Sequence, residues 1–110
     1  MKAGPKPPET YEAFVKRYPQ IGQAWESIAE AGKEGPLGEK TIRLIKLAIA
    51  IGALREGAVH ASIRKALSMG IPREEIEQVI ALAAGTLGLP ATVAVFSWVQ
   101  DGFAKVATPK

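Results

Sequence analysis

Apolar residues recur along this chain at the three- and four-residue spacing of an amphipathic α-helix. The pattern is present in residues 10–17 and again from Pro19, a residue that favours a helix start, to Gly32. Residues 32–38 contain three glycines and a proline and predict a loop. The apolar stripe of the second predicted helix consists of Ile21, Ala24, Trp25 and Ile28.

The next part of the chain predicts two longer helices. Residues 39–54 begin with polar positions but become apolar on every face, which is typical of a helix buried on all sides. Residues 56–69 are amphipathic and end before Gly70, a residue that commonly terminates helices. The apolar face of this helix consists of Val59, Ile63, Ala66 and Leu67.

Two further helices follow, separated by a short turn. Pro72 opens a helix over residues 73–87, which begins with glutamates and again becomes wholly apolar. Gly88 and Pro90 then precede a last helix over residues 91–106. No stretch shows the two-residue alternation of a half-buried strand. We therefore predict an all-α bundle of about five to six helices.

The chain length predicts one domain, over residues 10–106, preceded by a flexible leader, residues 1–9. The uncharged stretch 79–99 is long enough to span a bilayer. Gly85 and Pro90 interrupt it, so two short helices are a better interpretation than a membrane span. The start of the chain has no apolar signal segment, which favours a cytoplasmic location.

The hydrophobic content predicts an oligomer. Of the 110 residues, 47% are hydrophobic, and three of the predicted helices are largely apolar. A domain of this size cannot cover all of these faces by itself. We therefore predict an obligate homo-oligomer in which apolar faces become subunit interface. The alternative is an unusually apolar monomer.

Composition excludes several classes of function. The chain has no cysteine, which rules out disulfides, thiolate metal sites and thiol redox chemistry of its own. The net charge of +3 is spread along the chain without interleaved aromatic residues, which argues against nucleic-acid binding. A single histidine without cysteine gives no convincing metal site.

The single histidine, His60, is the centre of the candidate chemistry. Glu56 and Arg64 lie four residues before and after it, so the three form one stripe at the border of the apolar helix face. In one interpretation a partly buried Glu56 orients His60, which acts as acid or base. An anionic substrate would then be held by Arg43, Arg55 and Arg64. In the other interpretation the stripe is an ion-pair ladder that stabilises the helix.

Two other groups of residues also have two interpretations. Lys40, Arg43 and Lys46 lie three residues apart, and they form either an anion-binding strip or a solvated helix face. Trp25 and Trp98 either wall a ligand pocket or anchor a core or an interface, and large aromatic residues at helical spacing more often do the latter.

Residues 39–96 resemble the carboxymuconolactone decarboxylase and alkylhydroperoxidase-D-like family. The matching pieces are EKTIRLIKLAIAIGA, the helix that ends in RKALSMG, and IPREEIEQVIALAAGTLGLPA. The resemblance implies an all-α fold and homo-oligomers, often trimers or hexamers. This agrees with the prediction drawn from the hydrophobic pattern.

The chain departs from the family at the positions that carry its chemistry. Peroxidase members have a Cys-x-x-Cys pair where this chain has Arg55 and Ala58. Their relay glutamate and histidine correspond to Arg43 and Ser62, so no member of the thiol relay is present. Decarboxylase members share that histidine at the position of Ser62. His60 lies two residues earlier, about 200° away around the helix.

These observations leave three hypotheses. The first is a cofactor-free acid/base lyase of decarboxylase or isomerase type that acts on a small carboxylate, with His60 and Glu56 as catalytic residues. Ser62 would then join the arginines as a substrate contact. The second is a non-catalytic, oligomeric or ligand-binding member of the fold. The third is the peroxidase activity of thiol-containing relatives, against which the missing cysteines argue. None of the three involves a metal, a nucleic acid or a membrane.

Overall fold

The computed structural model describes residues 9–107 as a chain of helices. No strand is present in this range, so the all-α prediction is confirmed. The predicted leader lies outside the described residues except for Glu9, which begins the first helix. The helices are α1 (Glu9–Arg17), α2 (Pro19–Lys33), α3 (Glu39–Gly52), α4 (Glu56–Ser68), α5 (Arg73–Leu87) and α6 (Leu89–Ala107).

Prolines and glycines separate the helices at the predicted places. Pro19 opens α2, and Pro72 caps the start of α5 in an extended conformation. Gly70 and Gly88 follow α4 and α5 with φ angles of 82° and 85°, a left-handed region that residues with a side chain rarely adopt. Because these positions terminate helices through backbone geometry alone, the sequence pattern locates them well.

The end of α3 differs from the prediction. The helix ends at Gly52, and Leu54 takes a φ of 55°. The amide of Arg55 donates to the carbonyl of Ala50 over 3.1 Å, which closes the turn into α4. Leucine is a good helix former, so the sequence predicted two more helical residues than the structure contains.

Helices α3 to α6 form the core. The most extensive packing is between α3 and α4, and α6 packs on both α4 and α5. At the crossing of α4 and α6, a Cβ added to Gly102 would lie 3.2 Å from the Cγ2 atom of Ile63, so glycine permits a close approach. The predicted inner face of α4 is confirmed, since Val59, Ile63 and Ala66 are buried and Leu67 is partly buried.

The apolar ends of α3 and α5 are not buried on all sides within the single chain, as expected for a domain too small to cover them. Ile49 is 65% exposed and Leu82 is 73% exposed. Helix α3 packs on α4 and α5, and α5 packs mainly on α3 and α6, so the four-helix group leaves part of each helix uncovered. The stripe of α2 is also exposed, and no residue of α1 or α2 is buried.

The uncharged stretch in the second half of the chain is divided between α5 and α6. Within the range that the structure describes, no helix is both long and apolar enough to cross a membrane.

We expect Gly88→Ala to destabilise the protein by about 1–3 kcal/mol, because its φ of 85° and ψ of 159° lie in a region that essentially only glycine adopts. Gly57→Ala is the matched control, since Gly57 is helical and an added Cβ would contact nothing within 4 Å. It should stabilise the protein by roughly 0.5–1 kcal/mol. Urea denaturation of both variants checks the difference, and a Gly88→Ala protein as stable as wild type would contradict the assigned turn.

Candidate functional site

His60 contacts Glu56 but neither contacts an arginine through a hydrogen bond or ion pair in the described structure. The Nε2 atom of His60 lies 3.3 Å from Oε2 of Glu56. The side chain of His60 is 22% exposed and that of Glu56 is 56% exposed. The partly buried Glu56 that the sequence predicted is therefore absent from the single chain, because this residue lies in the first turn of α4, where no other helix covers it.

None of the remaining sequence-predicted contacts forms a hydrogen bond or ion pair with His60 in the described structure. Arg64 and Arg55 are exposed, and Arg55 precedes the first residue of α4. Ser62 is 6% exposed and faces the core. Of the predicted ladder, only the step between Glu56 and His60 is formed.

Arg43 has the most unusual environment of the predicted residues. Its side chain lies on the face of α3 that turns toward the core, and its Nε atom is buried without a hydrogen-bond partner. Burial lowers the pKa of the guanidinium. A buried donor without an acceptor is destabilising.

Lys65, on α4, is influenced by four other cations, and Arg43 is one of them. Partial burial lowers the pKa of Lys65, and the charges of Arg43, Lys46, Arg64 and Lys33 lower it further. Of the five side chains, only Lys33 has an acidic partner in the described structure, Glu30, at 3.6 Å between exposed side chains. We call Lys33, Arg43, Lys46, Arg64 and Lys65 the cationic cluster.

The cationic cluster differs from the strip that the sequence predicted. Lys40 does not belong to it, because its Nζ atom forms an ion pair with Oε1 of Glu75 at 2.8 Å. Lys65 and Lys33 were missed. The sequence could have predicted that Lys65 lies opposite Arg43. The two residues are equally far in sequence from Leu54, which lies in the three-residue connection between α3 and α4. Two antiparallel helices joined by a short turn place such residues opposite each other.

We expect Lys65→Gln to raise the melting temperature at pH 7 by about 2 °C. The lysine is charged in both states at this pH, and its charge is unfavourable only in the folded chain. Since the folded-state pKa is the lower one, wild type gains stability as the pH rises from that pKa toward the ordinary value of 10.5. The higher melting temperature of the variant should therefore disappear over this pH range. Thermal denaturation at low ionic strength checks this, and a variant less stable than wild type at pH 7 would contradict it.

The described structure offers no other candidate for metal or acid–base chemistry. No group of three or more histidine, cysteine or acidic residues in residues 9–107 is arranged to hold a metal ion. An apolar groove of about 500 Å³ lies between α3 and α5, and none of the charged residues above lines it.

Comparisons with known proteins agree on the fold. The model of the carboxymuconolactone decarboxylase family matches residues 19–101. No curated protein matches the chain. Among solved structures, the chain is similar to the apo form of a carboxymuconolactone decarboxylase family protein from Legionella pneumophila. The TM-score is 0.80 at 23% identity, over 91% of this chain and 89% of the other. This likeness concerns the fold.

Proposed function

The chain belongs to the carboxymuconolactone decarboxylase family, and on that basis we propose that it is a homo-oligomeric protein that binds a small carboxylate at the cationic cluster. The observation that carries the proposal is that four other cations act on Lys65, while the five cations have one acidic partner in the described structure, Glu30. Like charges placed together cost stability, and a bound anion offsets that cost.

Carboxylates are the preferred class of anion because of the arginines. A guanidinium binds a carboxylate through two parallel hydrogen bonds, and neither Arg43 nor Arg64 has an acidic partner in the described structure. Lys65 and Lys46 add positive charge to the same cluster. A ligand with two or three carboxylates would satisfy more of the cluster than one with a single charge.

Thermal denaturation with acetate, succinate, citrate and inorganic phosphate tests this proposal. Each anion is compared with NaCl at the same ionic strength, because exposed charges are screened by any salt. A specific ligand at ten times its Kd should add about 1.4 kcal/mol, or roughly 6–11 °C. We expect citrate and succinate to give this shift and acetate a smaller one. Shifts no larger than those with matched NaCl would overturn the proposal.

A second candidate function is a cofactor-free acid/base lyase, of decarboxylase or isomerase type, acting on a small carboxylate. The observation that favours it is the 3.3 Å contact between His60 and Glu56 at the border of the core. In this function Glu56 orients the imidazole, and His60 transfers a proton to or from the substrate.

His60→Ala separates the two functions. The lyase requires that this variant lose turnover of a small carboxylate substrate while it keeps the melting temperature of wild type within a few degrees, since an exposed ion pair contributes roughly 0–1 kcal/mol. A binding protein requires that His60→Ala keep the citrate-dependent stabilisation unchanged. Peroxidase activity has no residue to support it, because the chain has no cysteine.

A further inference from the structure

The cationic cluster combines residues from two parts of the chain. Four of its members belong to α3 and α4, whereas Lys33 is the last residue of α2. Burial is the main cause that lowers the pKa of Lys65, and Lys33 is among the charges that lower it further. The end of α2 therefore carries a positive charge that acts on α4.

Helices α1 and α2 pack mainly on each other. A Cβ added to Gly22 would lie 3.1 Å from Cβ of Val15, so the two helices approach each other closely. Helices α3 to α6 pack among themselves, and no residue of α1 or α2 is buried. We call residues 9–33 the N-terminal helix pair. Because an element with few buried contacts separates from its domain at a low cost in free energy, packing alone holds the helix pair weakly.

The connection between α2 and α3, residues 34–38, adds little to hold the helix pair in place. The amide of Glu34 donates to the carbonyl of Ala31 over 3.3 Å at the end of α2. Among the described residues, the backbone of residues 35–37 forms no hydrogen bond with other backbone groups. Gly35 has a φ of 134°, and a Cβ added to it would contact nothing within 4 Å. The connection therefore does not fix the angle between α2 and α3.

The ion pair of Lys33 lies within α2 itself. Its Nζ atom is 3.6 Å from Oε2 of Glu30, and the two side chains are 66% and 75% exposed. An exposed pair of this kind contributes little and is readily exchanged for another partner. In the described structure no acidic residue of the helix pair forms an ion pair with α3 or α4. The charges that meet here repel each other, and a bound anion would replace this repulsion by attraction.

We propose that a ligand with two or more carboxylates binds between Lys33 and the rest of the cationic cluster and thereby fixes the N-terminal helix pair against α3 and α4. This rests on the anion binding proposed above. One carboxylate is bound by cations of α3 and α4, and a second draws Lys33 away from Glu30. Ligand binding and the position of the helix pair are thus coupled, and by linkage each favours the other.

A distance measurement between the helix pair and the core tests this coupling. The chain has no cysteine, so Ser27→Cys on α2 and Ser97→Cys on α6 provide unique sites for spin labels. Both serines are exposed. Double electron–electron resonance then measures the distribution of distances between the two labels. Labelled chains are mixed with an excess of unlabelled chains, so that distances within one chain dominate.

We expect a broad distribution of distances without ligand and a narrow one with citrate. Acetate at the same ionic strength should leave the distribution broad, because it has a single carboxylate. Lys33→Gln should keep the broad distribution when saturated with citrate and should bind citrate about three- to tenfold more weakly. Lys16→Gln is the matched control, since it removes the same charge from α1 outside the cationic cluster. It should behave as wild type.

Calorimetric titration of citrate separates the failure of this coupling from the failure of anion binding. A distribution that stays unchanged in wild type saturated with citrate overturns the coupling alone. The absence of saturable citrate binding overturns both proposals. A Lys33→Gln protein whose distribution narrows as in wild type also overturns the coupling, because another contact would then hold the helix pair.

Discussion

Replacing Ile63 with alanine is expected to lower the free energy of unfolding by about 2–5 kcal/mol, the cost of removing a large side chain from a packed core. Ile63 is fully buried and lies where α4 crosses α6. Gly102 brings the backbone of α6 against this side chain, so the surrounding helices have little freedom to close the cavity. For a domain of this size such a loss is a large part of the total stability. Urea denaturation at a fixed protein concentration measures it.

Ile49→Ala is the matched control for Ile63→Ala. The same atoms are removed, but Ile49 is 65% exposed and lines neither the core nor the α3–α5 groove. The change should stay within about 0.5 kcal/mol, as for other surface substitutions. Equal losses in the two variants would contradict the assignment of Ile63 to the centre of the protein.

Replacing Arg43 with glutamine is expected to weaken citrate binding by about 10- to 100-fold, or about 1.4–2.8 kcal/mol. The guanidinium of Arg43 has no acidic partner in the described structure, and hydrogen bonds to charged groups are stronger than neutral ones. Removing it should leave the unfolding free energy without citrate unchanged or slightly higher, since the neighbouring Lys65 loses a repulsive charge. Isothermal titration calorimetry measures the affinity.

Lys40→Gln is the control for Arg43→Gln. It removes one positive charge from the same helix, but Lys40 is already paired with Glu75 on α5. Its citrate affinity should remain within about twofold of wild type, since screening weakens interactions between exposed charges. If the two variants lost affinity equally, citrate binding would reflect net charge alone and the assigned site would be wrong.

Helix positions were the part of the fold that the sequence pattern predicted best. Pro19, Pro72 and Gly88 act through their own backbone geometry, so their effect does not depend on tertiary contacts. Leu54 shows the limit of this approach. The tight turn between α3 and α4 imposes its left-handed conformation, and a leucine in the sequence does not predict that conformation.

Burial was predicted less well than helicity. The apolar character of Ile49 and Leu82 was evident, but a periodic pattern does not say whether a face is covered by the same chain or by another. The same limitation applies to Trp25 on α2. The pattern identified apolar faces, whereas the structure identifies which of them lack a partner within the chain.

The candidate site was predicted in part. The contact between His60 and Glu56 follows from their four-residue spacing, which brings side chains together within one helix. The cationic cluster depends on how α3 packs against α4, and the angular position of Lys65 within its own helix does not reveal this. Arg43 was selected from the sequence, but its buried and unpaired Nε atom becomes apparent only when the neighbouring helices are in place.

We expect the cationic cluster to bind a small carboxylate. The most direct test is calorimetric titration of citrate into wild type and Arg43→Gln at constant ionic strength. We expect saturable binding with one citrate per chain in wild type, a lower affinity at higher NaCl concentration, and a loss of at least tenfold in the variant. An affinity that is identical in the two proteins, or the absence of saturable binding to wild type, would contradict it.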